Sequence, residues 1–416
     1  MRLTMHKQLV LGLLLAMATV SAWSAPSASA MAGAVEGARH LERKPEDHLL
    51  RALHALKVNG VDAALNEVDD LLSHHPNFRL ARLVKGDLLL AKAGRFADIG
   101  ASSDAQGLSS DGSLQGLVHE AMQRIRARQA PGIGDRLPVE LLNLGEATQH
   151  AVLVDKSENR LYLFKRDHEG VPLRVADYYI STGRAQGDKQ IRGDLKTPEG
   201  VYFIRKFIPD RKLASKYGRG AYTLNYPNAL DRKQGKTGYG IWLHGTDEDT
   251  YSRPPLASEG CVVLPNPDLV AVGTHLQPGL TPVVIARALT WVSPGQWQSI
   301  RAELMGAIED WRQDWESLDT HRYLAHYDAD FWADGHNLRS WSDRKQRIFS
   351  RKEFQKVAIE NLNLLRYPDG AGSGDELYVA RFAQSYRSNN YDSDGYKQLF
   401  LVRDQGRIRI RFEGSD

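Results

Sequence analysis

The chain contains one cysteine, Cys261, and a lone thiol cannot close an internal disulfide. Apolar cores and hydrogen bonds must therefore hold the fold. The thiol itself is an inert buried side chain, a partner for another molecule or a nucleophile. The choice matters because the N-terminus reads as an export signal, residues 1–30. Arg2, His6 and Lys7 form a basic start and Leu9 to Val20 an apolar run. Val20-Ser21-Ala22, Ala22-Trp23-Ser24 and Ala28-Ser29-Ala30 offer small-residue cleavage sites. The run is shorter than the ~20 residues that span a bilayer. Cleaved or retained as an anchor, it leaves the remainder periplasmic or otherwise extracytoplasmic.

The formal charge is +3, and without Arg2 and Lys7 there remain 52 basic and 51 acidic residues. Near neutrality argues against nucleic acid as a partner. The length suits two or three domains. From residue 38 to 130 the apolar pattern is helical: Leu49, Leu53 and Leu56, then Ala64, Leu65, Val68, Leu71 and Leu72, then Leu80, Leu83, Val84, Leu88 and Leu89. Gly60-Val61-Asp62-Ala63 and Gly94-Arg95-Phe96-Ala97 lie 34 residues apart, the period of a tetratricopeptide-like pair, although a plain helical cap fits as well. Another amphipathic stretch, Leu114 to Arg128, leads to Pro131-Gly132, a natural boundary.

Residues 148–288 read as short strands: Val152 to Val154, Arg160 to Lys165, Val175 to Ser181, Val201 to Lys206, Gly240 to His244 and Val283 to Ala286. Asn266 fits an N-cap with Pro267 at the first helical position. Residues 292–416 start with a helical stripe of Ile300, Leu304, Ile308, Trp311, Trp315 and Leu318. A second short helix would carry Tyr323, Leu324, Tyr327 and Phe331, with strands at Leu377 to Tyr386, Gln398 to Arg403 and Ile408 to Phe412. Helices followed by an antiparallel sheet indicate a small α+β domain.

The chemistry concentrates around Cys261. Alternation along Tyr239 to His244 puts Trp242 and His244 on one face, with His244 at the strand end. A thiol with an ordinary pKa of ~8.5 needs such a base near neutral pH. Gly260 permits close backbone approach, and the amides of residues 260 and 261 offer an oxyanion site. Ser258 lies in the same turn, and Asn225 and Tyr226 are candidates to line a substrate groove or form an ordinary turn. His74-His75 and His321 with His326 offer no ligand set, so neither metal nor cofactor is expected. Arg407, Arg409 and Arg411 alternate with apolar residues, either as a solvated face or as an anion-binding one.

His244-Gly245 followed by Ser258-Glu259-Gly260-Cys261 resembles the signature of L,D-transpeptidase (YkuD-like) catalytic domains. Asn159-Arg160-Leu161-Tyr162, Ser181-Thr182-Gly183 and Gly193-Asp194-Leu195-Lys196-Thr197-Pro198-Glu199-Gly200 occur upstream in the order expected of that domain. The sequence departs at Glu259, where many members carry His, and at Val263, where a polar substrate contact often follows the cysteine. The resemblance implies a mainly-β catalytic domain in which Cys261 attacks a peptidoglycan stem tetrapeptide, His244 is the base and the Gly245 carbonyl orients the imidazole. From Trp291 the tail resembles the NTF2-like domain appended to cell-shape L,D-carboxypeptidases, on its Trp-rich first helix, Asp319 to Tyr327 and Trp341 ahead of Arg344. The expected architecture is multidomain: a helical N-terminal region, an L,D-transpeptidase-like domain and an α+β NTF2-like domain. The thioester would pass to water or to an amine. An enzyme releasing protein from peptidoglycan and a non-catalytic cell-wall-binding protein remain alternatives, with the helical and NTF2-like regions available to a wall or protein partner.

Overall fold

The computed structural model describes residues 44–95, 113–129, 133–247, 251–333, 335–368 and 376–415. The stretch read as an export signal, Phe96 and Ala97 of the second copy of the 34-residue period, and Pro131-Gly132 lie outside the described residues. The chain divides into two compact units, Met1–Met122 with Thr250–Ser252 and Gln123–Asp249 with Arg253–Asp416.

The first unit is helical: α1 (Pro45–Asn59), α2 (Val61–His74), α3 (Arg79–Lys92) and the start of α4 (Ser113–Gln129). Pro45 opens α1, with Glu46 and Asp47 complementing the helix dipole in its first turn. Gly60 alone separates α1 from α2 and has φ +88°, a conformation that disfavours a side chain. Leu49, Val68, Leu71, Leu80 and Leu88 meet in one core that Tyr251 joins. Ser252 Oγ accepts from the Leu80 amide at 2.8 Å.

The second unit contains two large sheets. The strands are β1 (Leu137–Pro138), β2 (Leu141–Asn143), β3 (His150–Asp155), β4 (Arg160–Arg166), β5 (Pro172–Tyr179), β6 (Thr182–Gly183), β7 (Gly200–Pro209), β8 (Gly220–Leu224), β9 (Trp242–His244), β10 (Leu256–Ser258), β11 (Val262–Val263) and β12 (Pro282–Ala286). Two helices, α5 (Ala229–Lys233) and α6 (Asn266–Gly273), interrupt them. An eight-stranded sheet runs β11-β9-β8-β7-β12-β3-β4-β5, and β10 pairs with β6 apart from it. Alternate residues feed two cores: Val152, Val154 and Ile204 face one, Leu153, Val201 and Phe203 the other. The strands therefore read as continuous apolar runs, because both faces are covered. Each fully buried side chain of this kind contributes about 1.5–3 kcal/mol.

The C-terminal part comprises β13 (Trp291–Val292), α7 (Pro294–Glu316), α8 (Thr320–Leu324), β14 (Tyr327–Ala333), β15 (His336–Asn337), α9 (Leu338–Phe349), β16 (Gln355–Arg366), β17 (Leu377–Ser388), β18 (Ser393–Asp404) and β19 (Arg407–Ser415). Ser293 and Gln296 form a capping box that starts α7. Trp297, Leu304, Ile308, Trp311 and Trp315 of α7 pack into the sheet core. The sheet order is β15-β14-β19-β18-β17-β16-β2, so β2, ahead of the eight-stranded sheet in sequence, extends the edge of the other one. Tyr367, Val379, Phe400 and Val402 share a core with Leu153, Val201 and Phe203, which packs the two sheets face to face.

One expected helix is partly wrong. Asp319 caps α8 by accepting from the His321 and Arg322 amides, but α8 ends at Leu324, and Tyr327 and Phe331 lie on β14. Residues four apart share a face in a helix and in a strand alike, so those aromatics fit either period. The arginine row on β19 is engaged locally: Arg411 pairs with Asp328 at 3.0 Å, and Arg409 donates to the Ala325 carbonyl.

Candidate active site

β11 and β9 run parallel, with Val262 opposite Leu243 and Val263 opposite His244. The same register puts Cys261 beside Trp242, on the face shared by His244, one strand across and two residues along. That diagonal is about 8 Å between Cα positions, within reach of the two side chains converging on one small substrate.

His244 is 6% exposed. Burial lowers its pKa to about 4, with the charges of Arg253 and Lys216 adding to the effect. Its Nδ1 lies 2.7 Å from the Gly245 carbonyl. A carbonyl only accepts, so Nδ1 carries the proton and Nε2 is the basic nitrogen. The edge of the ring packs against Tyr217 at 5.0 Å. A Cβ at Gly245 would collide with Asn266 Oδ1, because Asn266 clamps this turn: it accepts from Arg219 N at 3.0 Å and Thr246 N at 3.2 Å and donates to the Thr246 carbonyl at 2.9 Å. Asn266 is accordingly not the N-cap read from the sequence; Pro265 occupies that position. Its side chain is already committed to the loop after His244.

Cys261 follows Gly260, whose φ of +127° and approach to the Lys196 carbonyl exclude a side chain. The thiol keeps a partly open surface and donates to the Gly240 carbonyl at 3.4 Å, not to His244. Crowding by protein pushes its pKa up to about 11, opposed by the Trp242 amide and by Lys216 and Lys189, while Glu259 adds to the rise. At neutral pH the resting pair is a thiol and a neutral imidazole.

Ser258 accepts the Gly260 amide at 3.1 Å and donates to the Cys261 carbonyl at 2.7 Å, which shapes the turn. That bond also commits the Gly260 N–H, leaving the Cys261 N–H of the two expected oxyanion donors. Asn225 and Tyr226 both make hydrogen bonds within the fold. Asn225 Oδ1 accepts from the Phe203 amide at 2.8 Å, which ties the end of β8 to β7. Tyr226 is buried, donates to the Thr237 carbonyl at 3.2 Å and precedes a cis proline. Val263, 1% exposed, exchanges two backbone hydrogen bonds with Ser181 and is core.

The L,D-transpeptidase catalytic domain family (YkuD) matches residues 149–285, and the Cds6 C-terminal NTF2-like domain matches residues 303–414. The structure of Bd1075 from Bdellovibrio bacteriovorus is similar at 31% identity, covering 67% of this chain and 97% of that one with a TM-score of 0.58. The chain belongs to the L,D-transpeptidase family. The helical cell shape determining protein Pgp2 from Campylobacter jejuni is 29% identical over 68% of this chain and 96% of its own, with a TM-score of 0.57. No curated protein matches the chain.

In this L,D-transpeptidase-family chain the surroundings of the thiol are basic. Arg184 pairs with Glu259 at 4.0 Å and Lys189 with Asp194 at 2.7 Å. The segment bearing Lys189 is pinned by buried lysines. Lys156 reaches Gly187 O, Thr197 O and Glu199 Oε1 at 2.6–2.8 Å, and Lys236 bridges Asp188 at 2.7 Å and Asp231 at 3.1 Å. Sequence reasoning missed Asn266, Lys156 and Lys236. The usable signal for the first was Gly245 directly after His244, where Asn266 leaves no room for a Cβ.

Proposed function

We propose that Cys261 is the nucleophile and His244 the base of this peptidoglycan-modifying, L,D-transpeptidase-like protein, and that it acts outside the cytoplasm as an L,D-carboxypeptidase on tetrapeptide stems. The observation that carries this reading is a neutral imidazole, fixed through Nδ1 by the Gly245 carbonyl, on the same sheet face as Cys261. His244 Nε2 takes the thiol proton as sulfur bonds to the carbonyl carbon at the L-centre of diaminopimelate. The Cys261 amide supports the oxyanion. The C–N bond to terminal D-alanine then breaks, and the imidazolium returns its proton to the leaving amine. Water, deprotonated by His244, attacks the thioester carbon; the C–S bond breaks and the thiol recovers its proton, giving tripeptide and D-alanine.

Hydrolysis needs one ordered water, whereas transfer needs a second stem docked with its amine at the thioester. The NTF2-like tail and the similarity to a protein described as determining helical cell shape support trimming, and a role in cell shape, over cross-linking. The export signal read from residues 1–30 supports a periplasmic location, where the wall is. Incubation with purified disaccharide-tetrapeptide should yield tripeptide in excess over dimers, with a thioester adduct on Cys261 by intact mass. Cys261→Ser should give neither. Dimers in excess would move the reading to transpeptidation, and an active Cys261→Ser protein would end it.

A further inference from the structure

The leaving residue of a stem peptide carries a terminal carboxylate whose carbon lies within about 4 Å of the attacked carbonyl carbon. Any group that recognises this anion must therefore flank the thiol. Four cations surround Cys261 and His244: Arg184, Lys189, Lys216 and Arg253. Arg184 and Lys189 are already paired with Glu259 and Asp194. Among the described residues neither Lys216 nor Arg253 has a carboxylate in salt-bridge contact. Lys216 is exposed on a flexible stem, whereas Arg253 is half-buried.

The fixing of Arg253 is specific. Its carbonyl accepts from Tyr179 Oη at 2.8 Å, and its Nη2 donates to the Ala257 carbonyl at 3.1 Å, one residue before Ser258 and the cysteine turn. Its Nε is sealed from water without an acceptor, and Nη1 makes no hydrogen bond among the described residues. Its charge interacts with His244 and Cys261, with Asp247 as the carboxylate acting on it at longer range. A half-buried, pre-oriented guanidinium with an unused end is matched to a carboxylate, which it binds through two parallel charged hydrogen bonds.

We propose that Arg253 is the residue that binds the substrate's terminal carboxylate, making the site selective for stems that end at the residue to be released. This rests on the reading of Cys261 as nucleophile, but its test does not. In the full-length Cys261→Ser protein, calorimetry with a tetrapeptide bearing a free C-terminal carboxylate should show about 10- to 100-fold tighter binding than with the same peptide as C-terminal carboxamide. Adding Arg253→Gln should erase that preference and leave carboxamide binding unchanged, which also shows that the variant folds. Arg253→Lys should restore part of the preference. Equal binding of the two peptides before Arg253 is changed, an equal loss for both in Arg253→Gln, or a preference that survives Arg253→Gln would each overturn the assignment. A failed nucleophile reading would appear elsewhere, as absence of a thioester on the Cys261-bearing protein despite an intact carboxylate preference.

Discussion

His244 and Glu413 are both sealed from solvent, at 6% and 3% exposure, yet one is held neutral and the other charged. Around His244 burial dominates and the nearby charges are cations, so its pKa falls to about 4. Burial also opposes ionisation of Glu413, in the NTF2-like sheet. There, the charges of Lys397 and Lys345 and hydrogen bonds from Lys397 and Tyr327 outweigh it and hold the pKa at about 2. Lys345 itself lies 4.8, 4.9 and 4.6 Å from the ring centres of Trp315, Tyr323 and Trp341, and burial lowers its pKa to about 8. The difference separates two uses of burial. A neutral base is ready to take a proton, while a compensated ion cluster holds its charge and fixes the side chains around it.

The largest expected effect breaks the first half of that comparison. His244→Ala removes the proton acceptor, and the rate of thioester formation should fall by about 10²- to 10⁴-fold, read by single-turnover mass spectrometry. The buried ring also packs on Tyr217, so urea unfolding should be followed in parallel to show that the variant is folded under the assay conditions. A rate within a few-fold of the unmutated protein would remove His244 from the chemistry.

Glu413→Gln tests the other half, and its effect should fall on stability. It leaves the buried Lys345 and the half-buried Lys397 without their carboxylate, a loss of about 3–5 kcal/mol. The pH dependence has a definite sign. The folded pKa of about 2 lies below the ordinary glutamate value of 4.5, so the contribution of Glu413 is fully present above about pH 4.5 and is lost as pH falls toward 2. Denaturant titrations across that window should show the slope in the unmutated protein and lose part of it in Glu413→Gln. A variant as stable as its parent would mean that the cluster does not compensate its burial.

What the sequence revealed differs between the two regions for related reasons. Around Cys261 the decisive constraints are local. Gly245 and Gly260 are forced by neighbours that leave no room for a Cβ, and the positions of Cys261 and His244 follow from short strands. What failed there was partner choice: Asn225 is consumed by the Phe203 amide, Asn266 by three backbone groups, and the Gly260 N–H by Ser258. None of these bonds has a sequence period. In the NTF2-like part, β2 joins β16 across more than 200 residues, with Leu141 opposite Leu365. Glu413 meets Lys345 and Lys397 only once that sheet is assembled. A charged cluster built from a helix and two strands reads in sequence as scattered surface residues.

The smallest expected effect probes the electrostatics of the thiol. With the pKa of Cys261 pushed up to about 11, alkylation by a small neutral reagent should climb through the alkaline range with an inflection near 11 and no plateau at neutral pH. A preformed thiolate–imidazolium pair would instead plateau below pH 7, and the contrast with the charged Glu413 cluster would collapse. Lys216 lowers the thiol pKa by its charge, so Lys216→Gln should move the inflection upward. Lys216 is exposed and its field is screened, so the displacement should be slight, and raising the ionic strength of the unmutated protein should reproduce it. A shift that salt does not reproduce would mean that Lys216 acts through a fixed contact with the thiol and not through its charge in solvent.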